Sequence, residues 1–341
     1  MRDRYATPGA LDAAIRAKAK QAASSTGMSP GQLVTAFMFQ RLLARVFLDE
    51  GWMLKGGQSL LVRYPLLARL SRDADLFRPD AEDLGEAVEA FGKAVSRDLD
   101  DYFRFAPESV AYGEGSAKVK VSVHIGTARK QSLDVDLVVR RTPTGAPTRA
   151  TLEPAIPLDW PDVWPNVILY PLVDHLGDKL CAIWERHLRI GREPAASTRY
   201  RDLGDALLMS QRSQFDGRAV QRALASEVVR RNELGGVELV LPPTFEVPDV
   251  AMWTRDYPKA LSGRVNCVRC PVLAMLSGSS NAAGAQPQLR CFDGVASLEV
   301  TLCGRPSVHR SEPAASTALG KRPRKAQYCR SIGSEMRYPV R

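Results

Sequence analysis

The segment SLDVDLVVR (132–140) alternates apolar and polar residues along most of its length. In an extended strand, residues i and i+2 lie on the same face. Leu133, Val135, Leu137 and Val139 therefore form one apolar face, and Asp134 and Asp136 share the other with Val138. A strand of this kind belongs in a sheet with one side buried. AKVKVSVHIGT (117–127) repeats the alternation, and LSRDADLF (70–77) shows it over part of its length, so three half-buried strands are expected.

Helical periodicity surrounds these strands. Residues 9–24 read as a helix rich in Ala, Lys and Arg, and a second helix over 30–49 carries Leu33, Ala36, Phe39, Leu43 and Val46 at threes and fours. WMLKGG is a short apolar run broken by Gly56 and Gly57, which predicts a tight turn into a helix QSLLVRYPLL. Residues 82–101 predict another helix, with Leu84, Val88, Phe91 and Val95 as its buried stripe. The stretch from Arg141 to Pro165 is rich in Pro and Thr and reads as a connection. After Pro171 the period changes from two to helical, with helices expected at 171–188, 198–211 and 216–232. The fold class is α+β: a small sheet with helices over 1–160, a helical domain over 161–263, and a tail from 264 to 341.

The tail differs in composition. The 341-residue chain has 47 Lys+Arg and 38 Asp+Glu, a formal charge of +9. Residues 264–341 hold 12 of those basic and 4 of those acidic side chains, so the body is near neutral. Net charge is thus poor evidence that the body binds nucleic acid. Five of the six cysteines also lie in the tail, at 267, 270, 291, 303 and 329. A single CxxC without a second pair is a weak zinc signal, and free thiols suit a reducing compartment. The tail shows no convincing periodicity and reads as irregular or loosely structured. No apolar run is long enough to span a membrane and no secretory leader is apparent, so a cytoplasmic location is expected.

Chemistry concentrates in the acidic strands. Asp73 and Asp75 sit at i and i+2, and two carboxylates on one strand face repel unless a hard cation lies between them. On spacing alone, a solvated strand end also fits. Asp134 and Asp136 repeat the geometry, and adjacent strands would bring three or four carboxylates together, too much negative charge without an ion such as Mg²⁺. Gly56 and Gly57 precede a helix N-terminus, whose free amides can hold a phosphate. Lys179 borders the core stripe of VDHLGDKLCAIWERH. Asp202 and Asp205 share one face of STRYRDLGDALL, a helix that Ser197 or Thr198 could cap and where Arg199 and Arg201 could pair with the acids on a surface.

Taken together, MLKGGQSLLVRYPLLARLSRDADLF, SLDVDLVV, DHLGDKLCAIWERH and STRYRDLGDALL, in this order, resemble the AbiEii/AbiGii family of nucleotidyltransferase toxins, including the MenT-type toxins of toxin–antitoxin systems. The resemblance covers roughly residues 5–260. It implies a DNA polymerase β-like nucleotidyltransferase domain followed by a helical domain. It implies Gly56, Gly57 and Ser59 near a nucleoside triphosphate, with Arg69 and Ser71 matching the residues that flank the DxD segment. Asp73 and Asp75 would be metal ligands for Mg²⁺ or Mn²⁺, and Asp136 the third carboxylate, with Asp134 as the alternative. Lys179 would contact phosphates, and Asp202 falls in the family's later catalytic motif.

The implied activity is Mg²⁺-dependent nucleotidyl transfer (EC 2.7.7 class) to an RNA 3′ end on tRNA, blocking translation and growth, with a cognate antitoxin as partner. A protein or small-molecule acceptor is an alternative, as is a degenerate toxin that only binds its antitoxin. Two departures stand out: Ala74 replaces a larger apolar residue inside the DxD, and nothing after about residue 263 resembles the family.

Overall fold

A computed structural model describes residues 4–65, 67–158, 164–234, 237–242, 247–261, 286–292 and 295–301. Two capped helices open the chain. In α1 (Pro8–Thr26), Thr7 Oγ1 accepts from the Ala10 amide at 3.1 Å, and Gly27 closes the far end at φ 67. In α2 (Pro30–Val46), Ser29 and Gln32 bond each other's backbone reciprocally. Both helices start with Pro, whose missing N–H costs nothing there. Then come β1 (Met53–Lys55), α3 (Gly56–Arg63) and β2 (Asp73–Phe77). Next is α4 (Leu84–Val95), which starts later than expected because Asp83 caps it by accepting from the Glu86 amide.

The sheet is larger than the three strands expected. β3 (Phe103–Gly113), β4 (Ser116–Ile125), β5 (Ala128–Val138), β6 (Thr148–Thr151) and β7 (Asn166–Leu169) follow, and β6 lies within the stretch read as a connection. Among the described residues the sheet has seven strands in the order β3-β4-β5-β2-β1-β7-β6. It is mixed: β2 is parallel to β5 and β1 to β7, while β1–β2, β3–β4, β4–β5 and β6–β7 are antiparallel. The apolar faces of β4 and β5 meet α1, α2 and α4 in one core that includes Ile15, Phe37, Leu42, Phe91, Val121, Val135 and Leu137.

The second half is mostly helical: α5 (Leu172–Trp184), β8 (Arg186–Arg189), β9 (Arg192–Ala196), α6 (Tyr200–Arg212), β10 (Phe215–Asp216), α7 (Gly217–Leu234), β11 (Val237–Glu238) and α8 (Val250–Leu261). α5 ends at Trp184, short of the expected 188, because the chain turns extended at Glu185 into β8. A second core joins Leu176, Leu180, Leu203, Leu207, Val220, Trp253 and Tyr257, and draws in Leu60 from α3. In the tail, β12 (Gln286–Phe292) and β13 (Val295–Thr301) pair antiparallel, where the sequence showed no periodicity. Cys267, Cys270, Cys303, Cys329 and the basic run 321–325 lie outside the described residues. Among the described residues no helix is long and apolar enough to cross a membrane.

One buried ionic cluster ties the first core together. Arg45 is fully buried, and one guanidinium nitrogen donates both to Asp101 Oδ1 at 2.5 Å and to the Phe103 carbonyl at 2.9 Å. Arg41 reaches Asp101 Oδ2 at 2.6 Å. Asp100 and Tyr102, on either side of Asp101, have positive φ of 54° and 59°, so the loop holds a costly backbone shape around this carboxylate. Removing one partner of a buried pair leaves uncompensated charge. Asp101→Asn is expected to lower the unfolding free energy by about 3–5 kcal/mol in urea melts; a change below about 1 kcal/mol would show that water reaches the cluster.

Candidate active site

The register of the parallel pair β2–β5 builds the acidic face. Asp73 stands opposite Asp134 and Asp75 opposite Asp136. On the far side of β2, Lys55 is paired with Asp75, and on the far side of β5, Lys118 is paired with Asp136. Four carboxylates thus share a sheet face with lysines on both flanks.

A cleft of about 530 Å³ opens over this face, lined by Lys55, the glycine pair, Arg69, Ser71, Arg72, Asp73, Asp75 and Asp136 from the sheet half. The helical half contributes His175, Asp178, Lys179, Thr198, Arg199, Tyr200, Arg201, Asp202 and Ala260. Asp134 is not among the lining residues, so the geometry favours Asp136 as the third carboxylate.

The glycine pair is packed too tightly for any side chain. Gly56 has φ +60, and a Cβ there would overlap the Asp75 carboxylate. A Cβ at Gly57 would lie 2.5 Å from Ser71 Oγ. α3 begins at Gly56 and has no side-chain cap, which leaves its first amides free at the cleft. Ser59 lies beneath this turn, outside the cleft lining. It is fully buried, and its hydroxyl donates to the Gly56 carbonyl at 2.9 Å. That proton being used, the contact to His175 Nδ1 at 3.3 Å has the imidazole N–H as donor. Ser59 therefore braces the turn.

The carboxylates are electrostatically unsettled. Burial first, then Asp73, pushes Asp75 up to about 6 despite Lys179 and Lys55, and Asp75 accepts no hydrogen bond among the described residues. Burial also raises Asp136, opposed by Lys118 at 3.6 Å. Ser71 donates to Asp73 at 2.7 Å and fixes its orientation. Among the described residues no three His, Cys, Asp or Glu side chains are drawn together as a metal cage. The fit to a cation rests instead on the Asp73–Asp75 pair, hard oxygen donors of which Asp75 stays raised by burial and by Asp73 despite the nearby lysines.

Lys179 and Asp202 are both buried, not the solvated residues that their sequence setting also allowed. Lys179 Nζ lies 2.6 Å from Asp202 and 3.0 Å from Asp205. Burial alone would lower its pKa, but Asp205 and Asp202 hold it well above the usual lysine range. Arg69 grips Asp205 with two nitrogens at 2.9 Å, and Arg199 reaches Asp202 at 2.5 Å. The aspartates are therefore the core of an ionic cluster. Neither Ser197 nor Thr198 caps α6, whose N-cap is Arg199; Ser197 instead donates to the Ala182 carbonyl at 2.6 Å.

A family model for the nucleotidyl transferase AbiEii toxin of type IV toxin–antitoxin systems matches residues 37–265. The chain belongs to the AbiEii nucleotidyltransferase toxin family. Its donor is accordingly a nucleoside triphosphate and its partner an antitoxin. Two solved structures resemble this AbiEii chain at a distance. The MenT4 nucleotidyltransferase toxin of Mycobacterium tuberculosis H37Rv is 17% identical with a TM-score of 0.45, covering 77% of this chain and 98% of that one. An H. pylori protein assigned as a nucleotidyltransferase is 15% identical with a TM-score of 0.33, covering 69% and 82%. No curated protein matches the chain at a significant level.

Two residues of the AbiEii cleft carried no individual signal in the sequence. Lys55 is buried at the end of β1, with Nζ 3.3 Å from Asp178 and 4.4 Å from the centre of the Tyr170 ring. Burial first, then Arg141, brings it down to about 8. A lysine closing an apolar strand was the available clue. His175 is fully buried and held well below the usual imidazole range by burial and by Lys179, so it is neutral.

The acidic face has a pH signature in metal-free protein. Asp75 holds its proton more tightly folded than unfolded, so its contribution to stability is full below about pH 4 and is lost as the pH rises through about 6. Asp75→Asn removes that loss. Between pH 4 and pH 8 the variant should gain of order 2–3 kcal/mol on the wild type in chelator-treated denaturant melts. A pH-independent difference would mean that Asp75 titrates normally.

Proposed function

We propose that this toxin transfers nucleotides from a nucleoside triphosphate to the 3′ end of RNA, with tRNA as acceptor and Mg²⁺ as cofactor. The observation that carries the reading is the placement of the Asp73–Asp75 pair against the glycine turn, in one cleft with Asp136. A triphosphate held on the α3 amides would bring its α-phosphate beside these carboxylates. Asp73 and Asp75, with Asp136, would hold the metal. Bound Mg²⁺ would offset phosphate charge as the transition state develops.

The chain's own groups supply the rest. The acceptor 3′-hydroxyl oxygen attacks the α-phosphorus, the bond to the β-phosphate oxygen breaks, and pyrophosphate leaves with the electron pair. Asp136 would take the hydroxyl proton. Lys179 has three N–H bonds; one donates to Asp202 and Asp205 lies 3.0 Å away, so at least one would remain for a phosphate oxygen. Asp202 acts as a positioning residue for that ammonium. Blocking a tRNA 3′ end stops aminoacylation, which accounts for toxicity in the cytoplasm, where an antitoxin would restrain it.

Two measurements test this. Total tRNA incubated with each labelled nucleoside triphosphate and Mg²⁺ should acquire label with the wild type and only background with Asp73→Ala; label on protein, or equal label with the variant, would overturn the reading. Separately, Mg²⁺ titrated into nucleotide-free protein should raise Tm in the wild type but not in Asp75→Asn. Equal shifts in both proteins would place the metal elsewhere.

A further inference from the structure

The cations that line the cleft fall into two classes. Lys55 is bonded to Asp178, Arg69 to Asp205, Lys179 to Asp202 and Asp205, and Arg199 to Asp202. Each of these positive charges already has a carboxylate against it. Arg72 and Arg201 are different: among the described residues, neither makes a side-chain hydrogen bond or ion pair. Arg72 is exposed where the chain enters β2, directly before Asp73. Arg201 is half-buried in the first turn of α6, directly before Asp202. The two arginines thus come from opposite halves of the molecule to the same opening.

We propose that Arg72 and Arg201 hold the phosphate backbone of the acceptor RNA at the mouth of the cleft, which rests on the RNA reading given above. Uncommitted guanidinium groups on flexible stems suit a polyanion that arrives from solvent, because each displaces condensed counterions and needs no exact pose. The triphosphate has other holders deeper in: the free amides at Gly56 and Gly57 and the remaining N–H of Lys179. A small ligand seated on that floor leaves the outer arginines to the longer substrate. Backbone contacts of this kind position the strand without reading its bases.

The test compares wild type with the full-length double variant Arg72→Ala/Arg201→Ala, by anisotropy with labelled tRNA and by calorimetry with a non-hydrolysable nucleoside triphosphate. RNA affinity should fall about ten-fold or more at low salt, and the slope of log affinity against log salt should shrink by about 2, one for each lost phosphate contact. Nucleotide affinity should stay within about two-fold, which also shows that the variant folds. Unchanged RNA affinity would overturn the proposal while leaving the RNA reading intact. Loss of nucleotide affinity would reassign both arginines to the triphosphate. A wild type that binds no RNA would remove the RNA reading, and this proposal with it.

Discussion

Repulsion among Asp73, Asp75 and Asp136 is the constraint around which this molecule is arranged. Parallel pairing of β2 with β5 fixes these carboxylates on one sheet face. In a half-buried setting such a group tolerates its charge only when cations stand close or a proton stays on. Lys55 and Lys118 flank the row within the sheet, and Lys179 reaches it from α5. The glycine turn packs against Asp75 so closely that no side chain fits, which keeps backbone amides beside the negative charge.

The helical half completes the site by fixing its cations. Asp202 and Asp205 hold Lys179, Arg69 and Arg199 in place, while Asp178 holds Lys55 and also accepts from Arg231 at 2.9 Å. Burial would raise Asp178, but Lys55, Arg141 and Arg231 keep it well below the usual carboxylate range. α5, α6 and α7 are therefore joined to the acidic sheet by charge as well as by the shared apolar core that includes Leu60. Removing one member leaves a buried partner without its compensating charge.

Several elements were not legible in the sequence for identifiable reasons. β3 contains Pro107, and its pairing with β4 shifts register between Pro107 and Ser109, so the apolar alternation that marks its neighbours is lost. α8 carries Pro258 inside the helix, which local rules read as a break. Arg41, Arg45 and Asp101 are buried charges, and local pattern assigns charged residues to the surface. Lys55 carried no individual signal in the run WMLKGG, and the Ser59 hydroxyl serves the glycine turn above it.

By itself the sequence determined the strand faces and the helical periods, because these depend on spacing along a few neighbouring positions. Alternation put Leu133, Val135 and Leu137 on one side and the aspartates on the other, whatever the rest of the chain did. Tertiary structure decided which aspartate of the β5 pair lines the cleft, and which cations are already committed. Asp136 rather than Asp134 lines the cleft, and Arg72 and Arg201 stand apart from the paired lysines and arginines, because those facts depend on distances across β5, α5 and α6. Such distances join residues far apart in the chain, and no local pattern encodes them.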